Sequence, residues 1–187
     1  MSRDTYHHGD LKAAILAEAA DLVAERGADG ISLRELAREA GVSHAAPAHH
    51  FTDRRGLFTA LATEGYRMLA DTLTEARPDF IDAALAYVRF ALDHPGHYAV
   101  MFDKSLYDDT DPDLVAAETA AGAELTRGVA TLSDAKAKAD PAGAALAAWS
   151  LVHGFSMLWL NDAVNAETTG GDPMAAVERV ARMLFDG

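Results

Sequence analysis

Histidine is the residue type in this chain with the widest range of available chemistry. The sequence of 187 residues contains eight histidines and no cysteine. Three of the histidines, at positions 44, 49 and 50, lie in the short stretch GVSHAAPAHHF (41–51). An imidazole can bind a metal ion, transfer a proton or contact a phosphate, whereas the lack of cysteine excludes disulfides and thiolate metal sites. The spacing of the histidines must therefore decide among these uses.

Two further pairs of histidines lack the spacing of a metal site. His7 and His8 are adjacent, so their side chains diverge around a helix, and a flexible or solvated arm is the expected reading. His94 and His97 are separated by a proline and a glycine and cannot share one continuous helical turn. No Glu-x-x-His pair occurs either. We predict no metal, no cofactor and no enzymatic activity. The first rival hypothesis is a helical enzyme that uses histidine or metal chemistry.

The distribution of charge restricts nucleic-acid contact to the N-terminal third. The formal net charge is -13. Residues 1–57 hold seven basic and nine acidic residues, a net of -2, whereas residues 58–187 hold nine and twenty, a net of -11. Five of the eight histidines also lie in the first segment. Only this segment is expected to approach a polyanion such as DNA.

Composition and periodicity predict an all-α fold of about nine helices. Alanine, leucine, glutamate and arginine dominate, and no alternating run of β-branched residues occurs. Five of the six prolines, at 78, 95, 112, 141 and 173, directly precede amphipathic stretches, as expected where proline begins a helix. Residues 135–139 and 168–171 are predicted to be loops.

The most apolar segment, AALAAWSLVHGFSMLWL (144–160), is interpreted as a buried core helix. It is shorter than the roughly 20 residues that span a bilayer, and two serines, a histidine and a glycine interrupt it. The N-terminus, MSRDTYHHGDLK, lacks the apolar core of a signal peptide. We therefore expect no membrane partner and a cytoplasmic location.

Residues 10–76 contain the start and stop signals of four helices, predicted over about 10–26, 32–40, 43–51 and 53–76. Gly27 suits a left-handed C-terminus, Ser32 and Glu35 form a capping box, and Ser43 and Asp53 are the expected N-caps of the third and fourth helices. The two short helices and the tight turn between them predict a helix-turn-helix. A purely structural helical corner is the alternative.

The turn and the third helix fit a DNA-binding role. Gly41 can adopt the positive φ that the turn requires. Val42 and Phe51 can pack inward, which leaves one face of the third helix free. Pro47 falls in the first turn of that helix, where it removes only the first intrahelical hydrogen bond.

The segment SLRELAREAGVSHAAPAHHFTDRRGLFTAL closely resembles the DNA-binding head of TetR-type transcriptional regulators. The stretches YHHGDLKAAIL and WSLVHGF are similar to a subgroup with a C-terminal Trp…His-Gly signature. The resemblance implies an all-α homodimer. Each chain would have a three-helix DNA-binding head (1–52) and a larger helical body (53–187) that dimerises and binds a small-molecule effector.

Positions carried over from the resemblance imply a DNA-contacting set. Ser43, His44, Ala45 and Ala46 would face bases or backbone, and His49 would contact a phosphate. Arg54 matches the basic residue that begins the fourth helix beside the phosphates. The set is completed by Ser32, Arg34 and His50. Ala48 departs from the family pattern, which usually has a phosphate-bonding tyrosine at this position.

Two residue sets in the body are expected to bind the effector and the second chain. Trp149, His153 and Met157 share one side of a helix, and with the aromatic-rich set Tyr87, Phe90, Tyr98, Met101 and Phe102 they would line an effector pocket. Plain core packing is the alternative. The dimer interface is predicted from a stripe on the last helix and a neighbouring small-residue helix, comprising Ala147, Val177, Val180, Ala181 and Leu184. This stripe could instead cover the core of its own chain.

These features predict a dimeric repressor that binds double-stranded DNA at a palindromic operator and is released by a small molecule. A second rival hypothesis is a protein-interaction module whose head has lost DNA binding, which Ala48 and the net charge of the head make conceivable.

Overall fold

The structure is a computed structural model that describes the backbone of residues 4–185 and the side chains of residues 11–165 and 167–183. Within these residues the chain forms eleven helices and no strand. The helices are α1 (Asp4–Arg26), α2 (Leu33–Glu39), α3 (Ala45–Phe51), α4 (Arg54–Glu75), α5 (Phe80–Asp93), α6 (Pro95–Met101), α7 (Pro112–Ala130), α8 (Ala135–Ala139), α9 (Pro141–Leu160), α10 (Ala166–Thr169) and α11 (Pro173–Phe185). The prediction of an all-α chain is confirmed.

Helix starts follow the local signals in most places. Proline is the first residue of α6, α7, α9 and α11, whereas Pro78 lies two residues before α5. The loop predicted at 135–139 is wrong, because Asp134 accepts a hydrogen bond from Ala137 N–H (2.8 Å) and caps the short helix α8. Helix α10 likewise begins before the loop predicted at 168–171 and runs into it.

The turn between α2 and α3 stops α2 with a left-handed glycine. Gly41 has φ 65°, and its N–H donates to the carbonyl of Arg38 (3.2 Å). Val42 N–H donates to the carbonyl of Ala37 (2.9 Å). This pair of bonds is the Schellman arrangement, in which a residue with positive φ satisfies the last carbonyls of a helix.

Helix α3 begins one residue later than the sequence predicts. Its N-cap is His44, whose side chain makes no capping hydrogen bond, so the assignment of Ser43 as N-cap is wrong. Pro47 is consequently the third helical residue. The amide nitrogens of the first turn have no intrahelical acceptor, so proline removes no helical hydrogen bond at this position. Its ring is buried and serves as packing surface.

The described chain divides into two compact units, residues 1–66 with 94–118 and residues 67–93 with 119–187. The first unit contains α1, α2, α3, α6, the first half of α4 and the first turns of α7. Its core includes Ile15, Leu36, Phe58 and Tyr98, all at most 1 % exposed. Helix α6 lies close against α1, because a Cβ at Gly96 would collide with the carbonyl oxygen of Ala20. The predicted functional boundary between 1–52 and 53–187 stays a prediction.

The second unit is built on α5, with which α9 and α11 are in contact. Helix α9 buries Ala148, Val152 and Ser156, which repeat every four residues and define one inward face. The rest of α9 is apolar yet largely outside this core. By length and composition alone α9 could cross a membrane, and only 17 % of its most apolar part is buried in the chain. The interpretation of 144–160 as a buried core helix is therefore wrong for a single chain.

Candidate nucleic-acid interface

One face of α3 is exposed and carries most of the residues expected to contact DNA. His44, Ala45, Ala48 and His49 are all exposed. They recur at the spacing of a single helical face. The opposite face is anchored in the core by Pro47 and by Phe51, a residue only 4 % exposed. The arrangement therefore presents two imidazoles and two small side chains on one surface.

The other predicted contacts on this helix lie at its margins. Ser43 is exposed in the turn that precedes α3. Ala46 and His50 are half-buried, and the ring of His50 packs beside that of Phe51 with centroids 6.1 Å apart. Ala48 lies between His44 and His49 on the exposed face, so the site lacks the hydroxyl group that the family pattern usually supplies there.

Helix α2 supplies two of the predicted DNA-contacting residues at its start. The hydroxyl of Ser32 accepts a hydrogen bond from Glu35 N–H (3.2 Å), as the capping prediction requires. The carboxylate of Glu35 pairs with Arg26 of α1 (3.1 Å), and this bond ties α2 to α1. Arg34 is exposed on the first turn of α2. Its direct role in DNA binding stays a prediction.

Arg54 lies where phosphate contact is not favoured. Its Nε donates to the carbonyl of Ile31 (3.0 Å) and its Nη2 to the carbonyl of Ala28 (2.8 Å). The guanidinium also lies over the ring of Phe58, 4.6 Å from the centroid. These contacts join α4 to the connection between α1 and α2. Arg54 thus ties the first turn of α4 to the α1–α2 connection with hydrogen bonds inside the chain, and the phosphate role predicted for it stays a prediction.

The residues predicted to bind an effector are divided between the two units. Tyr98, Met101 and Phe102 belong to the first, in which Tyr98 and Met101 are buried and the rings of Tyr98 and Phe102 pack at 5.0 Å. The carbonyl oxygen of Met101 accepts hydrogen bonds from the hydroxyls of Tyr66 and Tyr107, both 2.9 Å. These contacts agree with plain core packing, the alternative to an effector pocket for these residues.

Tyr87, Phe90, Trp149, His153 and Met157 belong to the second unit. The Tyr87 hydroxyl lies 3.2 Å from Nδ1 of His153, and burial lowers the pKa of His153. Trp149 packs on the His153 ring at 5.7 Å but is 41 % exposed, and Met157 is 42 % exposed. A neutral imidazole paired with a phenol is the chemistry available here. The effector-binding role of all eight residues stays a prediction.

Part of the predicted dimer interface is incorrect. Val177 and Ala181 are 0 % and 1 % exposed and belong to the core of their own chain. Val180 is half-buried and Ala147 is exposed, whereas the side chain of Leu184 lies outside the described residues. The exposed large apolar side chains of this unit are instead Leu146, Trp149, Met157, Leu158 and Leu160 on α9 and Met183 on α11. Periodicity missed this face because α9 is apolar nearly all round.

Among the described residues no group of three metal-ligating side chains occurs. Nε2 of His97 lies 3.0 Å from the carboxylate of Glu64, and the rings of His94 and His97 pack at 6.0 Å. His7 and His8 lie outside the residues whose side chains are described.

Known proteins resemble both ends of this chain. The family model "Bacterial regulatory proteins, tetR family" matches residues 15–61, and the family model "Tetracyclin repressor-like, C-terminal domain" matches residues 80–184. Among curated relatives, the HTH-type transcriptional repressor AcnR of Corynebacterium efficiens is 32 % identical over 105 residues, which cover 54 % of this chain and 53 % of the relative. The chain thus spans about half the length of the curated relatives it matches.

Solved structures match over nearly the whole chain. A protein of unknown function from Rhodococcus sp. RHA1 is 35 % identical, with a TM-score of 0.74 over 96 % of this chain and 95 % of that one. The crystal structure of a putative regulatory protein is 25 % identical, with a TM-score of 0.78 over 100 % of both chains.

Proposed function

Because the chain belongs to the TetR family of bacterial regulatory proteins, a class of DNA-binding transcriptional regulators, we propose that it is a homodimeric repressor of transcription. The observation that carries this proposal is the exposed face of α3, which follows a tight helix-turn-helix turn and presents His44, Ala45 and His49. The relative AcnR is named a transcriptional repressor, which supports repression over activation. We propose a cytoplasmic location, because the operator DNA of a bacterial regulator lies in the cytoplasm.

Dimerisation would explain the exposed apolar surface of α9. Contiguous apolar patches on a soluble protein mark contact sites. Two copies related by a twofold axis would each cover the other's α9, and their two heads would reach successive major grooves, about 34 Å apart. A small-molecule effector bound in the body would then release the operator by changing the separation of the heads. Such an effector must prefer the released state by about 5.5 kcal/mol to change the bound fraction from 99 % to 1 %.

A gel shift with the duplex DNA that flanks the protein's own gene tests this function. We expect a discrete complex that survives an excess of shuffled duplex and contains two chains per DNA. The competing hypothesis, an interaction module with weakened DNA binding, is favoured by Ala48 at the centre of the exposed face. It predicts no preference for the flanking DNA over the shuffled duplex at any protein concentration.

The two histidines of the α3 face should differ in what they recognise. His44 lies at the start of α3, where side chains reach base edges, and His49 follows in the last turn beside the backbone. His44→Ala should change which operator bases are preferred, with each altered preference on the order of 1–3 kcal/mol. His49→Ala should weaken binding to all sequences alike. Binding to an operator library separates the two effects, and a uniform loss from His44→Ala would place that residue on the backbone.

Operator affinity should be higher at pH 6 than at pH 8. A nearby phosphate favours the protonated imidazole, so binding takes up protons where histidines meet the backbone. By linkage, affinity is strongest in acid and falls as pH rises. Dissociation constants at the two pH values and fixed salt measure the effect, with His49→Gln as the matched variant. Equal values for the wild-type protein would show that no imidazole is protonated on binding.

A further inference from the structure

We infer that Arg55, and not Arg54, supplies the phosphate contact at the start of α4, and that Asp108 in the α6–α7 connection weakens this contact. The inference rests on the proposed DNA-binding function. The family resemblance places this phosphate contact at Arg54, one residue earlier. The carboxylate of Asp108 would compete with DNA for Arg55.

Among the described residues of the head and the first turn of α4, most cations are already engaged within the protein. Arg26 pairs with Glu35 (3.1 Å) and Arg38 with Glu39 (2.7 Å). Lys12 Nζ lies over the Phe51 ring at 5.8 Å. The guanidinium of Arg54 donates to the carbonyls of Ala28 and Ile31, and moving it to a phosphate would leave both acceptors without that donor.

Arg55 is the other basic residue in the first turn of α4. Its side chain is exposed. Among the described residues of the head and the start of α4, Arg55 and Arg34 are the arginines that form no ion pair and no side-chain hydrogen bond. A positive charge in the first turn of a helix is disfavoured by the helix dipole. Hydrogen bonds to two carbonyls offset this cost for Arg54, whereas an external anion could offset it for Arg55.

The first turn of α4 holds Arg55 beside the end of α3. The N–H of Asp53 donates to the carbonyl of Phe51 (2.7 Å), and the Asp53 carboxylate accepts from Gly56 N–H (2.8 Å). A Cβ at Gly56 would collide with the Phe51 carbonyl oxygen, so only glycine permits this approach. Arg55 lies between these contacts in the chain. Its backbone is therefore fixed relative to the helix that presents His49.

The α6–α7 connection is hydrogen-bonded to the same turn. Thr59 donates its hydroxyl hydrogen to the carbonyl of Arg55 (2.8 Å) and accepts from the N–H of Asp108 (3.0 Å). The pKa of Asp108 is lowered by hydrogen bonds from Thr110 and, to a smaller extent, by the charge of Arg55. Arg55 and Asp108 are thus near enough to interact without forming an ion pair. A phosphate that approaches Arg55 must compete with this carboxylate.

Salt titration of DNA binding tests the assignment of Arg55. The probes are the flanking duplex and a shuffled duplex of the same composition, between about 50 and 200 mM salt. Arg55→Gln should weaken binding to both about three- to tenfold and reduce the slope of log K against log salt by about 0.9 for each chain, or about 1.8 for a bound dimer. Arg89→Gln is the matched control, because it removes the same charge from an exposed position on α5. Arg54→Gln should instead lower the melting temperature of the protein.

A double-mutant cycle tests Asp108. Asp108→Asn keeps the oxygen that accepts from Thr110 and removes only the charge. It should strengthen binding about two- to threefold in the wild-type background and have no effect beside Arg55→Gln. Asp82→Asn on α5 controls for net charge. If the wild-type protein binds the flanking duplex and Arg55→Gln matches Arg89→Gln, the inference is wrong while the proposed function stands. If the wild-type protein binds neither duplex, the proposed function fails and the inference with it.

Discussion

Leu146→Glu should convert the protein from a dimer to a monomer. Leu146 is 60 % exposed in the single chain, on the face of α9 that also presents Met157 and Leu158. Ala147, Ser150 and Gly154 share this face, and a Cβ at Gly154 would have no atom within 4 Å. Small residues among large apolar ones allow two helices to approach closely. We therefore propose that the twofold axis lies at this face.

The expected effect is large because the substitution acts twice. In a twofold interface each change occurs in both chains, so two carboxylates would be buried near the axis without cations. Burying an unpaired charge costs several kcal/mol, and each 1.4 kcal/mol is a factor of ten in the dissociation constant. We expect the dissociation constant of the dimer to increase by on the order of 10²–10³-fold. Operator binding should then be lost at low protein concentration.

Sedimentation velocity over a dilution series measures this change. Ala116→Glu is the matched control, because it adds the same charge at an exposed position of α7. Circular dichroism must show that Leu146→Glu remains helical. A wild-type protein that is monomeric at micromolar concentration, or a Leu146→Glu variant that remains dimeric, would remove α9 from the interface. Val177→Glu is unsuitable for this test because Val177 is fully buried and its substitution would unfold the chain.

The contrast between Val177 and Leu146 illustrates what periodicity can and cannot predict. A stripe at helical spacing indicates that one face of α11 is covered, but the same stripe fits a core or a second chain. In α9 nearly every position is apolar, so periodicity marks no face at all. Only the tertiary packing, which buries Ala148, Val152 and Ser156, identifies the opposite side as exposed. The dimer residues could therefore not be assigned from sequence.

The head was more predictable because its signals are local. A left-handed glycine at 41, a capping serine at 32 and a capping aspartate at 53 act within a few residues of the backbone they fix. The start of α3 was misplaced by one residue, which is the usual uncertainty of helix ends. The intrachain contacts of Arg54 could not be predicted, for a different reason. Its acceptors lie 23 and 26 residues earlier in the chain, and no local pattern reports such a contact.

Glu124→Gln should remove a major part of the acid sensitivity of the second unit. Glu124 is only 8 % exposed and accepts hydrogen bonds from Arg127 and from Arg77, whose Nε lies at 2.7 Å. The pKa of Glu124 is lowered from 4.5 to about 2, chiefly by the hydrogen bond from Arg127 and then by that from Arg77. This carboxylate joins α7 to the connection between α4 and α5, so it is a fixed part of the fold.

The sign of the pH dependence follows from the direction of that shift. A carboxyl group with a lowered pKa in the folded state contributes stability that is complete above its unfolded pKa, near 4.5. This contribution is lost as the pH falls towards about 2, because the unfolded chain takes up the proton first. Arg77 and Arg127 are 44 % and 54 % exposed, so water can solvate them when the carboxylate is removed. We therefore expect Glu124→Gln to cost about 1–3 kcal/mol at pH 7, less than breaking a fully buried ion pair.

Urea unfolding at pH 7 and at pH 3 measures both expectations. Glu124→Gln should have a lower midpoint than the wild-type protein at pH 7, and the difference between the two midpoints should be smaller at pH 3, since protonation of the unfolded chain has by then removed part of the wild-type advantage. Glu75→Gln, at an exposed position near the end of α4, is the matched control and should follow the wild-type curve at both pH values. A constant difference between Glu124→Gln and wild type at the two pH values would mean that Glu124 stabilises the unit by packing alone. In that case the charge pairing with Arg77 and Arg127 would contribute nothing, because only the ionised carboxylate titrates in this range.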